Sequence, residues 1–453
     1  MKIDRSIEVA HLSPHVAKLF RISAQKIRSL NTSWNPSQGS PVFTVYGKYS
    51  SRGWTEWTQG FQFGSAILQF DATGDTEFLE IGRQRTIDVM APHLTHTGVH
   101  DHGFNNVSTY GNLLRLMREG RLEQNTGERN FYEVALKCSG AVQAMRWSNI
   151  ATGGGYIYSF NGPHSLFVDT IRTVRALAVA HQLGHVLLGE NDRRISLLDR
   201  LIQHAQATAR YSVYYGEGRD TWDVRGRVAH ESIFNPNDGN YRCPNSQQGY
   251  SPYTTWTRGL AWAMLGFAEE LEFLEFINDE ELTAHGGRAA VVAEMQKAAE
   301  ATCDFYIANA ALDGIPYWDT GAPALEKIVD WRDKPSDPFN DHEPVDSSAA
   351  AIAAQGLLRL GRYLKNDTYC KAGLTVARTL FAEPYLSTDP QHQGLLLHSI
   401  YHRPNGWDTI PAGHRIPSGE ACMWGDYHAM ELAVYLQRLI ENKQYLAFWS
   451  TQS

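Results

Sequence analysis

Apolar positions along the chain recur mostly with a helical period. Ser165–Leu188, Ile195–Tyr211, Thr255–Phe273, Arg288–Asn309, Ser347–Leu364 and Tyr427–Ile440 each place apolar residues at i, i+3, i+4 and i+7, and so predict helices with a face turned to a core. Strand-like alternation is scarce, and Gly155–Phe160 is its clearest stretch. The punctuation is regular. Gly74-Asp75, Gly189-Glu190-Asn191-Asp192 and Lys365-Asn366-Asp367 each separate two patterns; Gly or Asn ends one helix in the left-handed conformation and Asp caps the next. About twelve helices fit the chain, joined as hairpins with no Pro/Ser-rich linker. This predicts an all-α fold, one closed helical toroid forming a single domain over residues 1–453. Thr32–Thr58, Glu217–Tyr253, Gly314–Val345 and Ala382–Trp424 then become long loops over one end, and they hold most of the Trp, His and Pro residues that lie outside the helices.

Composition narrows the classes. The net charge is −8 and no long basic run exists, which argues against a nucleic-acid or anionic-membrane partner. Five cysteines, odd in number and widely spaced, give neither a disulfide framework nor a structural zinc site. Met1 to Leu19 lacks the apolar core of a signal peptide, and no apolar run is long enough to span a bilayer. The expectation is a cytoplasmic protein. Twelve Trp, 21 Tyr and 18 Phe supply faces on which a pyranose can stack, although most must be core.

Four segments carry candidate chemistry. In His100-Asp101-His102-Gly103-Phe104 an Asp flanked by His stands at a helix start, where it is either an N-cap or a reactive carboxyl. His93, His96 and His100 have no Cys or Glu partner, and no metal site is predicted from them. In Phe167-Val168-Asp169-Thr170-Ile171 a carboxylate among apolar neighbours is costly to desolvate; its pKa should rise, which suits a general acid, unless it too merely caps a helix. In the run from Gln247 to Trp262, Trp256, Arg258 and Trp262 fall at a loop–helix junction. Arg258 is a fork donor for a carboxylate or ties down a loop carbonyl. Trp54 and Trp57 precede Gln59-Gly60-Phe61 as core or as a ligand platform.

Together these segments resemble the unsaturated glucuronyl hydrolases, glycoside hydrolase family 88, with the family 105 rhamnogalacturonyl hydrolases as close relatives. Trp57 to Phe61 with Gly64 resembles that family's W-T-x-G-F-x-x-G stretch, and His100-Asp101 with Gly103-Phe104 its H-D-x-G-F. Asp169 resembles the Asp of its V-D element. Gln248-Gly249-Tyr250, Trp256, Arg258-Gly259 and Ala261-Trp262 resemble its H-Q-G-Y…W-x-R-G-Q-A-W at the same spacing. Pro316-Tyr317-Trp318-Asp319, Asp346-Ser347-Ser348-Ala349-Ala350-Ala351 and Gly425-Asp426-Tyr427 follow in the same order as the family's later segments.

The resemblance implies an (α/α)6 barrel and hydration of the C4=C5 double bond of a 4-deoxy-hex-4-enuronosyl sugar at the non-reducing end of an oligosaccharide. It assigns Asp169 to proton transfer at C4, and Asp101 nearby as a second charge that raises the pKa of Asp169. It gives His230 a water contact, makes Gln248, Trp256 and Arg258 the uronate and ring contacts alongside His100, and makes Trp57 and Trp262 aromatic walls. It implies no cofactor. Gln247 stands where the family commonly has His, Leu260 where it has Gln, Pro252-Tyr253 where Asp is common, and Phe63 at a usually small position. These departures bear on the leaving sugar. Two competing readings share the toroid. One is a conventional glycosidase or a sugar epimerase, the latter needing His181 and His185 on the cavity; the other is a non-catalytic oligosaccharide-binding protein.

Overall fold

The computed structural model describes residues 1–52, 56–444 and 447–449, and it is mainly helical. The long helices are α1 Ser13–Ser33, α2 Gln59–Thr73, α3 Thr76–Val89, α4, α5 Thr126–Met145, α6, α7 Leu197–Tyr211, α8 Thr257–Leu274, α9 Arg288–Asn309, α10 Ser347–Tyr363, α11 Asp367–Leu380 and α12 Met423–Ile440. Two are broken. Helix α4 runs His102–Asn106, widens into a π turn at Val107–Gly111 and resumes at Asn112–Arg118; α6 runs Thr170–Thr173 and, after Val174, Arg175–Gln182.

The even-numbered helices form the inner layer. Helix α2 packs on α4, α4 on α6, α6 on α8, α8 on α10, α10 on α12, and α12 back on α2. The odd-numbered helices lie outside them: α1 against α2 and α12, α3 against α2, α5 and α7 against α6, α9 against α8, α11 against α10. Burial follows this division. Every residue of α8 from Thr257 to Leu274 is buried, as expected of a helix surrounded by others. Helix α9 buries a stripe through Val291, Met295, Ala298, Thr302 and Phe305.

Several predicted boundaries match closely, α9 residue for residue. Gly74 closes α2 in the left-handed conformation at φ 73°, and Asp75 caps α3 by accepting from the Glu77 N–H. Three expectations fail. Ser165–Leu188 is not one helix: Ser165–Phe167 is a strand, β1, paired antiparallel with β2 Glu231–Phe234, which pairs in turn with β3 Tyr241–Asn245 inside the supposed loop. An apolar run that short is ambiguous between strand and helix, and its partner is distant in sequence. Gly189–Asp192 is the tip between the short strands Leu187–Leu188 and Arg194–Ile195; Ser196 caps α7 instead. At the third corner Lys365 takes the left-handed turn at φ 54° and Asn366, not Asp367, is the cap.

No helix among the described residues is long and apolar enough to cross a membrane. The five cysteines are unpaired.

Candidate active site

Four of the inner helices deliver their N-terminal ends to one cleft of about 160 Å³. Trp57 precedes α2, Asp101 precedes α4, Asp169 precedes α6 and Trp256 precedes α8, and all four line it with His100, Phe104, Phe160, Gln247, Gln248, Arg258, Trp262, Tyr401, His402 and Trp407. Trp54 lies outside the described residues.

Asp101 and Asp169 both occupy N-cap positions, yet neither side chain caps its helix. Their carboxyls turn into the cleft instead, nearly buried. The His100 ring lies between them, its Nε2 3.7 Å from Asp101 Oδ1 and 3.4 Å from Asp169 Oδ1. The predicted pKa order is reversed. Burial pushes Asp101 up to about 6, with His100 opposing and the Asp169 charge adding to the rise. Burial also works on Asp169, but His100 and the nearby His230 outweigh it, so its carboxyl titrates below the ordinary value. Burial disfavours charge on His100, but the two carboxylates overcome it and raise the imidazole. The physical reason is the position of the ring, which neutralises Asp169 and leaves Asp101 to pay for desolvation.

Strand pairing places His230. The Val168 N–H donates to the His230 carbonyl at 2.9 Å, and the ring packs on Phe167 and Trp256 at 4.4 and 4.7 Å. Its Nδ1 accepts from the Gln247 and Gln248 N–H groups at 3.0 and 3.2 Å. The proton of the neutral ring is therefore on Nε2, which no protein atom satisfies. Burial lowers this imidazole to about 4 and keeps it neutral.

Arg258 fulfils its second sequence reading. Its guanidinium donates to the Ile400 carbonyl, to the Tyr401 carbonyl at 2.8 Å, to Asp346 Oδ2 at 3.1 Å and to Gln248 Oε1 at 2.9 Å, and lies over the Trp256 and Trp424 rings. It lines the cleft as a fixed wall. Because it occupies the Gln248 oxygen, the amide NH2 of Gln248 is left as the donor. Trp57 stacks on Trp424 at 4.9 Å and Trp262 packs on Phe104 at 4.6 Å, so both predicted walls belong equally to the core.

The later motif carboxylates hold backbone. Asp319 accepts from the Tyr250 and Gly321 N–H groups, Asp346 caps α10, and Asp426 accepts from the Leu395 and Leu396 N–H groups and the Tyr49 hydroxyl. Of the departures, Gln247 lines the cleft and Leu260 is buried in α8. Tyr401, His402 and Trp407 belong to no motif, and their signal in the sequence is the density of Trp and His in Ala382–Trp424. His100, Asp101 and Asp169 lie close enough together to share an ion, whereas His93 and His96 are not in that group. His181 pairs with Glu281 at 3.0 Å, and neither it nor His185 lines the cleft, which removes the epimerase pair.

No protein-family model matches the chain. It is similar to an unsaturated glucuronyl hydrolase from Formosa agariphila, 24% identical over 85% of this chain and 81% of that protein. It is 25% identical to the unsaturated glucuronyl hydrolase of Bacillus sp. GL1, over 86% of this chain and 89% of that one. The crystal structure of an unsaturated glucuronyl hydrolase from Bacillus sp. GL1, described as responsible for the degradation of glycosaminoglycan, superposes with a TM-score of 0.69 at 21% identity, covering 94% of this chain and 97% of that one. The resemblance read from the motifs is thus matched by curated relatives along most of the chain.

Proposed function

We propose that this chain is a glycoside hydrolase that removes a 4,5-unsaturated uronic acid from the non-reducing end of small, lyase-generated oligosaccharides. The observation that carries the reading is the His100-bridged pair Asp101 and Asp169 in an aromatic cleft, in a chain similar to unsaturated glucuronyl hydrolases over most of its length. The cycle of even-numbered helices supports reading the fold as an (α/α)6 barrel, and the continuous core supports a single catalytic domain.

Four helix N-termini converge on the cleft and favour an anionic ligand. The uronate carboxylate is met by the Gln248 NH2, and the ring lies between the Trp57 and Trp256 sides. Entry of that carboxylate raises the proton affinity of both Asp residues. His100 passes its proton to Asp169 and takes up the one held on Asp101. Asp169 then protonates C4, and positive charge develops at C5. A water held by His230 Nε2–H adds to C5, and Asp169, now ionised, accepts its proton. The C5 hemiketal opens by breaking the bond from C5 to the ring oxygen. This leaves a hemiacetal at C1, which expels the leaving sugar as an alcohol. One water is consumed, and C1 is never attacked.

The test is ultraviolet absorbance of the C4=C5–carboxylate chromophore on a panel of unsaturated disaccharides. Wild type is expected to bleach it, and Asp169→Asn to do so slower by about 10³-fold or more. No bleaching of any member, with release of sugar from a saturated glucuronide, would replace this reading by a conventional glycosidase.

A further inference from the structure

The two cleft carboxyls stand on different helices, so their separation depends on how the N-terminal ends of α4 and α6 are held together. Just inside the cleft the two backbones touch. A Cβ on Gly103 would lie 2.1 Å from the Thr173 carbonyl oxygen. Thr173 Oγ1 donates to the His100 carbonyl at 2.8 Å, and Gln143 Nε2 donates to the same carbonyl at 2.7 Å. Deeper still, Arg175 of α6 reaches across. Its Nε donates to the Gly103 carbonyl at 3.0 Å and its Nη2 to Ser108 Oγ at 3.2 Å, both on α4, the second within the π turn.

Arg175 is fully buried. Its Nη1 lies 3.5 Å from Glu431 Oε1 and 3.9 Å from Glu269 Oε1, and those two carboxylates also hold Arg172, at 3.1 and 2.7 Å. A buried ion network of this kind is a poor way to gain stability, because apolar residues of similar volume serve as well. None of its members touches the substrate in the mechanism above. What a guanidinium offers that an apolar side chain does not is a rigid fork spanning fixed acceptors.

We propose that Arg175 is a positioning residue: by bridging α6 to α4, with Glu431 and Glu269 bracing it from behind, it sets the spacing of Asp101 and Asp169 and so the sharing of a proton between them. The role rests on the functional reading above only for its activity readout. A lysine keeps the charge but not the fork, which separates positioning from simple charge balance. The other charged or titratable groups near the two carboxyls are His100, Arg146, His204 and His230, and these stay in place in the variants.

The experiment compares wild type, Arg175→Lys and Thr173→Val as full chains, each checked for a cooperative melt and a native near-ultraviolet spectrum. The kinetics of double-bond loss are then measured across pH. In Arg175→Lys we expect kcat to fall about tenfold or more while KM stays within about threefold. The basic limb of the pH profile should move to lower pH, because carboxyls that drift apart no longer raise one another. Thr173→Val, which removes one neighbouring tie, should show the same split more weakly. Wild-type kcat and limbs in a folded Arg175→Lys would overturn the proposal. So would a kcat loss that merely follows the folded fraction. If wild type bleaches no unsaturated substrate, the functional reading fails by itself. The proposal is then decided by carbon-13 titration of the aspartate carboxyls: a changed pair in Arg175→Lys supports it, and an unchanged pair overturns it.

Discussion

Two ends of the inner helical layer bury aspartates in opposite ways. Asp71, near the C-terminal end of α2, is held by three guanidinium groups: Arg115 at 2.8 Å, Arg121 at 2.9 Å and Arg438 at 3.0 and 3.1 Å. Asp169, at the N-terminal end of α6, has only an imidazole at 3.4 Å for its Oδ1, an oxygen with no well-formed hydrogen bond. The two residues are 5% and 7% exposed, with the Asp169 side chain the more open of the two, 10% against 1%. Both carboxylates are nearly buried, so the larger difference between the structural one and the one proposed to react is saturation. A carboxylate with every lone pair filled has nothing left to give a substrate.

The widest separation should come from removing each charge. Asp71→Asn leaves two buried arginines, Arg115 and Arg438, and the exposed Arg121 short of a counter-ion and should cost about 3–5 kcal/mol of stability. Activity per folded molecule should be unchanged. Asp169→Asn should slow turnover by about 10³-fold or more, while costing clearly less stability than Asp71→Asn, since one imidazole and not three guanidinium groups lies against the carboxylate that is lost. Denaturant melts beside single-turnover assays check both arms. If Asp71→Asn lowered kcat at full folding, or Asp169→Asn cost several kcal/mol, the comparison would collapse.

A pH series sharpens it. Asp101 titrates at about 6 in the folded chain against an ordinary 3.8, mainly through burial. A raised folded pKa means that its stabilising contribution is complete below the ordinary value and is lost as pH rises through 6. The loss is on the order of 3 kcal/mol at most. Asp71 runs the other way. Burial opposes ionisation, but Arg115, Arg438 and Arg121 prevail and lower its pKa, so its contribution is present at neutral pH and lost as pH falls below the ordinary range. Asp101→Asn should therefore melt with wild type near pH 4 and above it at pH 8. Parallel melting curves across that range would show that Asp101 is not the proton holder.

How much of this was readable beforehand depended on range. Outer helix α9 is legible to the residue because Val291, Met295, Ala298, Thr302 and Phe305, the positions it buries, recur at helical spacing. Ser165–Leu188 was misread because the partner of β1, Glu231–Phe234, is far along the chain and leaves no local mark. The motifs single out Asp101, Asp169, His230 and Gln248; the structure places Asp101, Asp169 and Gln248 on the cleft, with the His230 ring packed behind against Phe167 and Trp256. The order of proton affinities was not legible, since it turns on where the His100 ring falls between two carboxyls brought together by tertiary packing. The two roles open to Arg258 cannot be separated locally for a similar reason. The carbonyls it ties lie 142 and 143 residues away, on a loop with no local signature.

Arg258 also stands where the two regimes meet. It is saturated, like the partners of Asp71, yet it lines the cleft. If its work is to hold Gln248 and the loop carrying Tyr401, then Arg258→Lys keeps the pair with Asp346 and loses the fork. A missing hydrogen bond of this kind is worth about 1.5 kcal/mol, which is about a tenfold rise in KM. The kcat should move little, because neither carboxyl depends on Arg258. Steady-state kinetics on the best unsaturated disaccharide decide it. A fall in kcat at constant KM would place Arg258 with the reacting groups, and saturation would then no longer separate the two ends of the inner helical layer.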